Sequence, residues 1–208
     1  MLPTPPENPK AGEAPNRGVM PAPVIDFAEM FGRVAPVELD LGCGDGAYLA
    51  QLAQAFPETN FLGVERLVGR VRSARWKLSQ QALENARVLE ADTPSAVRER
   101  FPTGAVACIH IMFPDPWPKR RHHRRRLLDE GFLRALHRVL QADGMLRIAT
   151  DDGNYFRAIS DAIDQTNDLF AALPEEPSVG PVSTFEQRYR DLDCVIYRVR
   201  LRKISGVR

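Results

Sequence analysis

Short apolar runs separated by stretches of helical spacing dominate the chain from residue 24 onward. Short runs bounded by turn-forming residues are typical of buried strands. Residues 47–56 and 127–140 carry apolar side chains every three or four positions, which predicts amphipathic helices. The predicted buried strands are Val37–Leu41, Asn60–Glu65, Arg87–Glu90, Ala105–Phe113 and Met145–Thr150. Alternation of strands and helices at this spacing predicts an α/β fold with a doubly wound, mostly parallel sheet.

Both ends of the chain depart from this rhythm. Residues 1–23 hold seven of the 17 prolines and almost no large apolar side chains, so they cannot offset the entropy lost on ordering. Beyond Ala172 prolines and a glycine interrupt the pattern, and residues 194–201 alternate like an edge or antiparallel strand. We therefore predict a flexible arm over residues 1–23 and one domain over residues 24–208, as the length of 208 residues allows.

The first predicted strand runs into a glycine-rich turn, Gly42-Cys43-Gly44-Asp45-Gly46, and a predicted helix follows. Glycines at such a turn let a ligand approach the backbone amides at a helix N-terminus. The same glycines also suit a tight turn that needs positive φ and binds nothing. The loop alone leaves a ligand site and a purely structural turn open.

Acidic residues stand at the ends of the first three predicted strands, the edge where parallel sheets bind ligands. Glu65 ends the second strand, where doubly wound folds place a carboxylate that binds an adenosine ribose. Asp92 follows the third strand, near the expected adenine edge, and Asp40 precedes the glycines, where it can meet a cationic amino group. A dinucleotide and S-adenosylmethionine both fit. We favour the sulfonium cofactor, because Asp40 and Asp45 would repel a pyrophosphate.

The segment after the fourth predicted strand, residues 113–127, reads FPDPWPKRRHHRRRL. Pro114 and Pro116 restrict the backbone on both sides of Asp115 and hold its carboxylate on stiff chain. The Trp117 side chain can stack on a base or, equally, pack inward. Residues 119–126 contain six Lys or Arg and no acid. Beside a ligand-binding edge, such a run predicts contact with a nucleic-acid backbone.

The net charge of +1 conceals a polarised distribution. Residues 119–126 carry +6 and residues 187–208 carry +5, whereas the rest of the chain sums to −10. The three cysteines are too far apart in sequence for a metal clip or a disulfide framework. Because the chain also lacks a signal sequence and a long apolar run, we expect a cytoplasmic protein without a metal ion or a membrane span.

The sequence FPDPWPKRRHHRRRL resembles the signature of the bacterial tRNA (guanine-N7)-methyltransferases, which use S-adenosylmethionine. Other landmarks agree in order, and the resemblance covers about residues 36–202. These landmarks are DLGCG at 40–44, GVE at 63–65, AD at 91–92, ATD at 149–151 and PVSTFEQR at 181–188. The resemblance implies a single Rossmann-like class I methyltransferase domain with seven strands, the last two from the carboxyl-terminal third. It also implies methyl transfer to N7 of a guanine in tRNA, namely guanosine 46 of the variable loop.

The resemblance further assigns roles residue by residue. The implied cofactor contacts come from the glycine loop and four acids, namely Gly42, Gly44, Gly46, Asp40, Glu65, Asp92 and Asp115. The implied tRNA contacts are Lys119, Asp151, Ser183, Thr184, Phe185 and Glu186, to which the basic run adds Arg124 and Arg125. Asp115 occupies the position considered catalytic in the family. We expect tRNA as the partner and a monomer or weak homodimer as the assembly.

The chain also departs from the family pattern. Pro118 stands where a His is usual, Ser183 stands where a Thr is common, and residues 189–193 lack a glycine. The glycine loop reads DLGCGDG, where a Glu before the glycines is expected. Methylation of another RNA, RNA binding without catalysis and an NAD-linked oxidoreductase therefore stay open. For the oxidoreductase, the sequence offers no well-placed His and no Tyr-x-x-x-Lys for hydride transfer.

Overall fold

A seven-stranded sheet forms the centre of the computed structural model, which describes residues 23–174, 181–182 and 184–206. The strands are β1 (Val37–Leu41), β2 (Asn60–Glu65), β3 (Ala86–Glu90), β4 (Val106–Met112), β5 (Leu140–Thr150), β6 (Phe170–Leu173) and β7 (Tyr197–Lys203). Their order in the sheet is β3-β2-β1-β4-β5-β7-β6. Neighbours among β1 to β5 are parallel, whereas β7 is antiparallel to both β5 and β6. The chain reverses its direction of winding between β1 and β4, which is where such sheets bind ligands.

The doubly wound sheet predicted from the sequence is confirmed. β1 and β2 have the predicted bounds. β5 begins earlier than predicted, at Leu140, because the preceding helix ends at Val139 and the chain enters the sheet at once. Leu140 already pairs with Val106, and the register then shifts before Met145 pairs with Cys108. The predicted antiparallel strand is β7, and the edge position beside it belongs to β6.

Helices connect the strands and begin at side-chain caps where the sequence offers them. They are α1 (Phe27–Phe31), α2 (Ala47–Ala55), α3 (Val68–Gln80), α4 (Thr93–Ser95), α5 (Glu130–Val139), α6 (Gly153–Asp164) and α7 (Thr184–Asp191). The helix predicted over residues 127–140 starts only at Glu130, because the Asp129 carboxylate accepts a hydrogen bond from the Phe132 N–H at 2.7 Å. Asp152 caps α6 in the same way.

Two layers of apolar side chains pack on opposite faces of the sheet, because successive strand residues point to opposite sides. On one face, Leu39 and Ile109 belong to a cluster with Leu136 of α5 and Ile159 of α6. On the other face, Phe61 and Val88 pack with side chains of α2 and α3. The loops at the carboxyl ends of the strands gather between these layers.

Within the described residues, no helix is both long and apolar enough to cross a membrane. The predicted flexible arm lies outside the described residues except for Pro23, whose carbonyl accepts a hydrogen bond from Arg100 at 3.2 Å. The arm and the domain boundary at residue 24 therefore stay predictions.

Gly63 lies inside β2 without room for a side chain. An added Cβ would come within 2.6 Å of the Cys43 Sγ and 2.8 Å of the Leu49 Cδ2. We expect Gly63→Ala to lower the free energy of unfolding by about 1–3 kcal/mol, the usual effect of overpacking, as measured by urea denaturation.

The matched control is Gly131→Ala in the first turn of α5. Its Cβ would meet only the Asp129 Oδ1, at 3.5 Å, so the substitution should raise stability by about 0.4–1 kcal/mol through the unfolded state. Equal stability of Gly63→Ala and the unsubstituted protein would contradict the tight packing at β2.

Candidate active site

The glycine loop joins β1 to α2 at the carboxyl edge of the sheet. Gly42, Gly44 and Gly46 have φ values of +83°, +58° and +75°, in the left-handed region that favours glycine. The Gly42 N–H donates to the Val64 carbonyl at 2.8 Å, which ties the loop to β2. An added Cβ at Gly42 or Gly44 would meet nothing within 4 Å. The glycines therefore serve the turn itself and also leave open space that a ligand can fill.

Glu65 ends β2 beside this loop, with its carboxylate held in place by backbone donors. Its Oε1 accepts hydrogen bonds from the Arg66 and Leu67 N–H groups at 2.8 and 2.9 Å. Its Oε2 accepts one from the Gly44 N–H at 3.2 Å and lies 4.0 Å from the Arg70 guanidinium. Because a carboxylate has about four lone-pair sites, Glu65 retains capacity for a ribose diol.

Asp40 is 3% exposed on β1, and its Oδ2 has no hydrogen-bond partner among the described residues. Burial raises the pKa of Asp40 to about 7, the charge of His110 opposes this shift, and Glu65 adds to it. A buried carboxylate oxygen without a donor is unfavourable. The ammonium group of S-adenosylmethionine is a suitable donor, so the unpaired oxygen and the open space over the glycine loop fit this cofactor.

A second polar group lies next to Asp40 in the sheet, and the sequence analysis missed it. His110 on β4 is fully buried and in register with Asp40. Its Nε2 lies 2.8 Å from the Glu38 Oε2, and its Nδ1 lies 3.3 Å from the Tyr48 hydroxyl. Burial lowers the pKa of His110, but Cys108 and Glu38 raise it, to about 10 overall. His110 is thus a cation that favours ionised Asp40. The sequence signal for this buried group was the presence of polar residues at alternate positions of two buried strands.

Metal binding is a competing interpretation of this group, since ligand atoms of Glu38, Cys108 and His110 all lie within 4.8 Å of one another. The His110 Nε2 is already bonded to Glu38, and Arg147 is in register with His110 on β5. A neighbouring arginine disfavours a second cation. We assign the group to an ion pair, and the expected lack of a metal stays a prediction.

Asp92 follows β3 and caps the short helix α4. Its Oδ2 accepts hydrogen bonds from the N–H and the hydroxyl of Ser95, at 3.2 and 3.0 Å. The side chain is exposed, and the other oxygen makes no hydrogen bond within the described part of the chain. Capping therefore fixes the carboxylate and leaves one oxygen for a ligand.

Asp115 lies exposed in the loop after β4, on strained backbone. Phe113 and Trp117 have φ values of +53° and +46°, which non-glycine residues rarely adopt. Such residues cost about 1–3 kcal/mol each and cluster at functional sites. Asp115 makes no hydrogen bond or ion pair to another described residue, so its carboxylate is available to a substrate.

The basic segment, residues 119–126, forms a 3₁₀ helix over Arg120–Arg125, and its cations divide into two kinds. Arg126 donates to the Pro116 carbonyl at 2.9 Å and to the Asn154 side chain at 2.8 Å, and it lies 4.9 Å over the Tyr155 ring. This arginine anchors the loop to α6. Lys119 and Arg120, Arg121, Arg124 and Arg125 are exposed.

Trp117 is partly buried and contacts its own loop. The Arg125 guanidinium lies 4.9 Å from the centre of its ring, and the His122 ring meets it edge-on at 5.7 Å. Packing within the basic segment is therefore the contact that the structure gives Trp117.

Helix α7 covers the carboxyl edge on the far side of this loop. The Tyr189 ring lies 5.2 Å from the Phe113 ring. Burial raises the pKa of Tyr189, and Asp151 after β5 adds to this shift. Glu186 is buried and accepts a hydrogen bond from Arg198 at 2.6 Å. Of the other predicted tRNA contacts, Thr184 and Phe185 begin α7, while Ser183 lies outside the described residues. The structure thus brings Asp151 and Tyr189 of α7 to the loop that carries Phe113 and Asp115.

Comparisons with known proteins identify the family and support the fold. A family model described as "Putative methyltransferase" matches residues 34–199. The tRNA (guanine-N(7)-)-methyltransferase of Leifsonia xyli subsp. xyli is 38% identical over 87% of this chain and 82% of the relative. The protein of that name from Thermotoga maritima is 33% identical over 88% of this chain, which spans 58% of that relative's length. The solved antibiotic-resistance methyltransferase Kmr, at 20% identity, has the same fold with a TM-score of 0.57 over 83% of this chain and 89% of its own.

The sheet order, the glycine loop and the buried acids define a Rossmann-like, S-adenosylmethionine-dependent methyltransferase. Within that class, the chain belongs to the tRNA (guanine-N7)-methyltransferase family.

Cofactor binding should depend on the ionisation of Asp40. With a pKa of about 7 in the cofactor-free protein, the carboxylate loses its charge as the pH falls and can no longer pair with an ammonium. The dissociation constant for S-adenosylmethionine should therefore rise below pH 7, approaching about tenfold per pH unit, as measured by calorimetry between pH 5.5 and 7.5.

The sign for stability follows from the same group. The pKa of Asp40 is higher in the folded than in the unfolded chain. Protonated Asp40 therefore contributes to the free energy of unfolding below about pH 3.8, and this contribution is lost as the pH rises through about 7. The cofactor should consequently raise the Tm more at pH 7.5 than at pH 5.5. Asp40→Asn should abolish both dependences, and Asp164→Asn should preserve them. A constant dissociation constant over this range would refute the role of Asp40.

Proposed function

We propose that this chain transfers the methyl group of S-adenosylmethionine to N7 of a guanine in tRNA, and that the guanine is guanosine 46 of the variable loop. One observation carries the proposal. The exposed Asp115, on strained backbone with a basic extension, directly follows β4, the neighbour of the strand that carries Asp40. The names of the relatives from Leifsonia and Thermotoga support the same reaction and substrate.

The reaction needs positioning rather than proton transfer. Guanine N7 has a free lone pair and no proton, so no general base is required. S-adenosylmethionine supplies an electrophilic methyl carbon on a cationic sulfur. Asp40 holds the amino group, Glu65 the ribose diol and Asp92 the adenine edge. Alignment of two reactants can lower a barrier by about 7–11 kcal/mol in favourable cases.

Asp115 acts on the guanine. Its carboxylate accepts hydrogen bonds from the N1 and N2 donors of the base, which adenine does not present in that arrangement. Its negative charge also offsets the positive charge that develops on the purine as the methyl group arrives. The strained backbone supports both roles, because it presents the carboxylate without rearrangement.

The tRNA contacts divide between two segments. Lys119, Arg124 and Arg125 bind phosphates from the basic segment, since all three are exposed. Asp151 and the Ser183–Phe185 stretch bind the tRNA on the side of α7. The burial of Glu186 and its hydrogen bond to Arg198 favour an anchoring role for that residue. The enzyme works in the cytoplasm, where its substrate is made, as a monomer or weak homodimer.

Methyl transfer to bulk tRNA tests this proposal. The product nucleosides are identified by mass, and 7-methylguanosine is located by chain cleavage. We expect 7-methylguanosine at position 46. Methylation of a different RNA would indicate a diverged methyltransferase, and tRNA binding without transfer would indicate a non-catalytic binding protein. Calorimetry with NADH checks the dinucleotide alternative, for which we expect no binding.

Asp115→Ala should reduce kcat by at least about 100-fold, the scale of a lost electrostatic contact in an active site. The dissociation constant for S-adenosylmethionine should change little, because Asp40 and Glu65 hold the cofactor. Single-turnover methylation and calorimetry measure the two effects separately. Asp164→Ala, an exposed carboxylate near the end of α6, is the control and should keep full activity. Near-normal transfer by Asp115→Ala would remove Asp115 from the mechanism.

A further inference from the structure

Helix α3 and the residues just before it carry a strongly basic surface that the site described above does not use. Residues 66–80 contain four arginines and one lysine and no acidic residue. This stretch was not one of the two basic segments identified from the sequence, residues 119–126 and 187–208, because its charge was summed with the acidic remainder of the chain.

Three of the five cations are occupied by the protein itself. Lys77 binds Asp45 of the glycine loop at 2.9 Å. Arg70 lies 4.0 Å from Glu65, and Arg75 donates to a carbonyl of β3 at 3.1 Å. The contacts of Lys77 and Arg70 join α3 to the glycine loop and to Glu65, and the contact of Arg75 joins it to β3.

The remaining cations are Arg66 and Arg72. Arg66 and Arg72 are exposed, and neither guanidinium has a hydrogen bond or ion pair to a residue that the structure describes. Trp76 stands one helical turn after Arg72, on the same side of the helix, and is 63% exposed. Leu67 and Val68, at the start of the helix, are 45% and 46% exposed. An exposed tryptophan beside free arginines is a stacking platform with phosphate donors.

The position of α3 relates this surface to the substrate. The helix begins three residues after Glu65, at the carboxyl edge, and the basic segment follows β4 at the same edge. β2 and β4 are separated by β1 alone, a distance of about 10 Å at the usual strand spacing. The two basic surfaces therefore border the cofactor pocket from opposite sides.

We infer that Arg66, Arg72 and Trp76 form a second tRNA-binding surface, across the cofactor pocket from the basic segment. The two arginines contact phosphates, and the indole ring stacks on a base or ribose. The inference rests on the proposed function, which supplies the tRNA. A polyanion is the fitting occupant, because the two unpaired arginines would repel a basic partner and would find no opposite charge on a neutral one.

The test compares two surface variants for tRNA affinity as a function of salt. Arg66→Ala/Arg72→Ala should weaken tRNA binding about tenfold near 0.1 M salt and reduce the slope of log K against log salt by about 1.4–1.8, the loss of two phosphate contacts. Trp76→Ala should weaken binding about fivefold or more, whereas Trp76→Phe should retain most of the affinity through its ring.

Arg134→Ala/Arg157→Ala is the matched control, with the same loss of charge from exposed positions of α5 and α6. It should leave both affinity and slope near those of the unsubstituted protein. Calorimetry should give each variant an unchanged dissociation constant for S-adenosylmethionine. Unchanged tRNA binding by the α3 variants, an equal loss in the control or a loss of cofactor binding would overturn the inference.

The outcome for the unsubstituted protein keeps the two proposals apart. If it forms 7-methylguanosine in tRNA while the α3 variants bind tRNA normally, the second surface is refuted and the proposed function stands. If it neither binds nor methylates tRNA, both fail.

Discussion

Asp40 is buried, and no described residue donates a hydrogen bond to its Oδ2; this is the constraint on which the site depends. A carboxylate in this position destabilises the folded chain whenever it is ionised, unless a cation approaches it. The sheet provides part of that compensation through His110, which is itself held by Glu38. The described residues offer no further donor, and the ammonium group of the cofactor fits this position. The glycine loop permits this, because the space above it is open and its backbone leaves no side chain in the way.

Charge is divided across the sheet in a way that suits two ligands of opposite sign. The acids that we propose for cofactor binding lie at the ends of β1, β2 and β3, whereas the basic segment follows β4. Separation matters because a carboxylate close to an RNA phosphate would repel it. Asp115 lies between β4 and the basic segment, where the two regions meet, and the proposed function places the contact of cofactor and guanine there. The backbone on both sides of Asp115 is strained, which costs stability but holds the carboxylate in one direction.

Much of this arrangement could be predicted from local patterns. Apolar runs located the five parallel strands, and the motif residues fell at strand ends because parallel strands share one carboxyl edge. The interactions that could not be predicted are those between distant segments. The pair of Glu38 and His110 joins β1 to β4, and the anchoring of Pro116 by Arg126 depends on where α6 lies. β6 has only four residues and no alternation, so nothing in its sequence distinguishes it from a loop. Counting the charges of the basic segment also could not separate Arg126 from its exposed neighbours, because Arg126 contacts Asn154 and Tyr155 of the distant α6.

The insertion of β7 between β5 and β6 has a consequence for how the molecule assembles. β1, β2 and β3 are consecutive in the chain and pair with one another through the single-helix crossovers α2 and α3, so the cofactor side of the sheet needs no distant segment. β5 must wait for β7, from which residues 151–196 separate it, and until then its outer edge exposes unpaired backbone groups. The half of the sheet that carries Asp151 and α7 is therefore completed last. During synthesis the chain passes through a stage in which β1 to β4 and the basic segment exist before α7 does, and at that stage the open edge of β5 is where misassembly would begin.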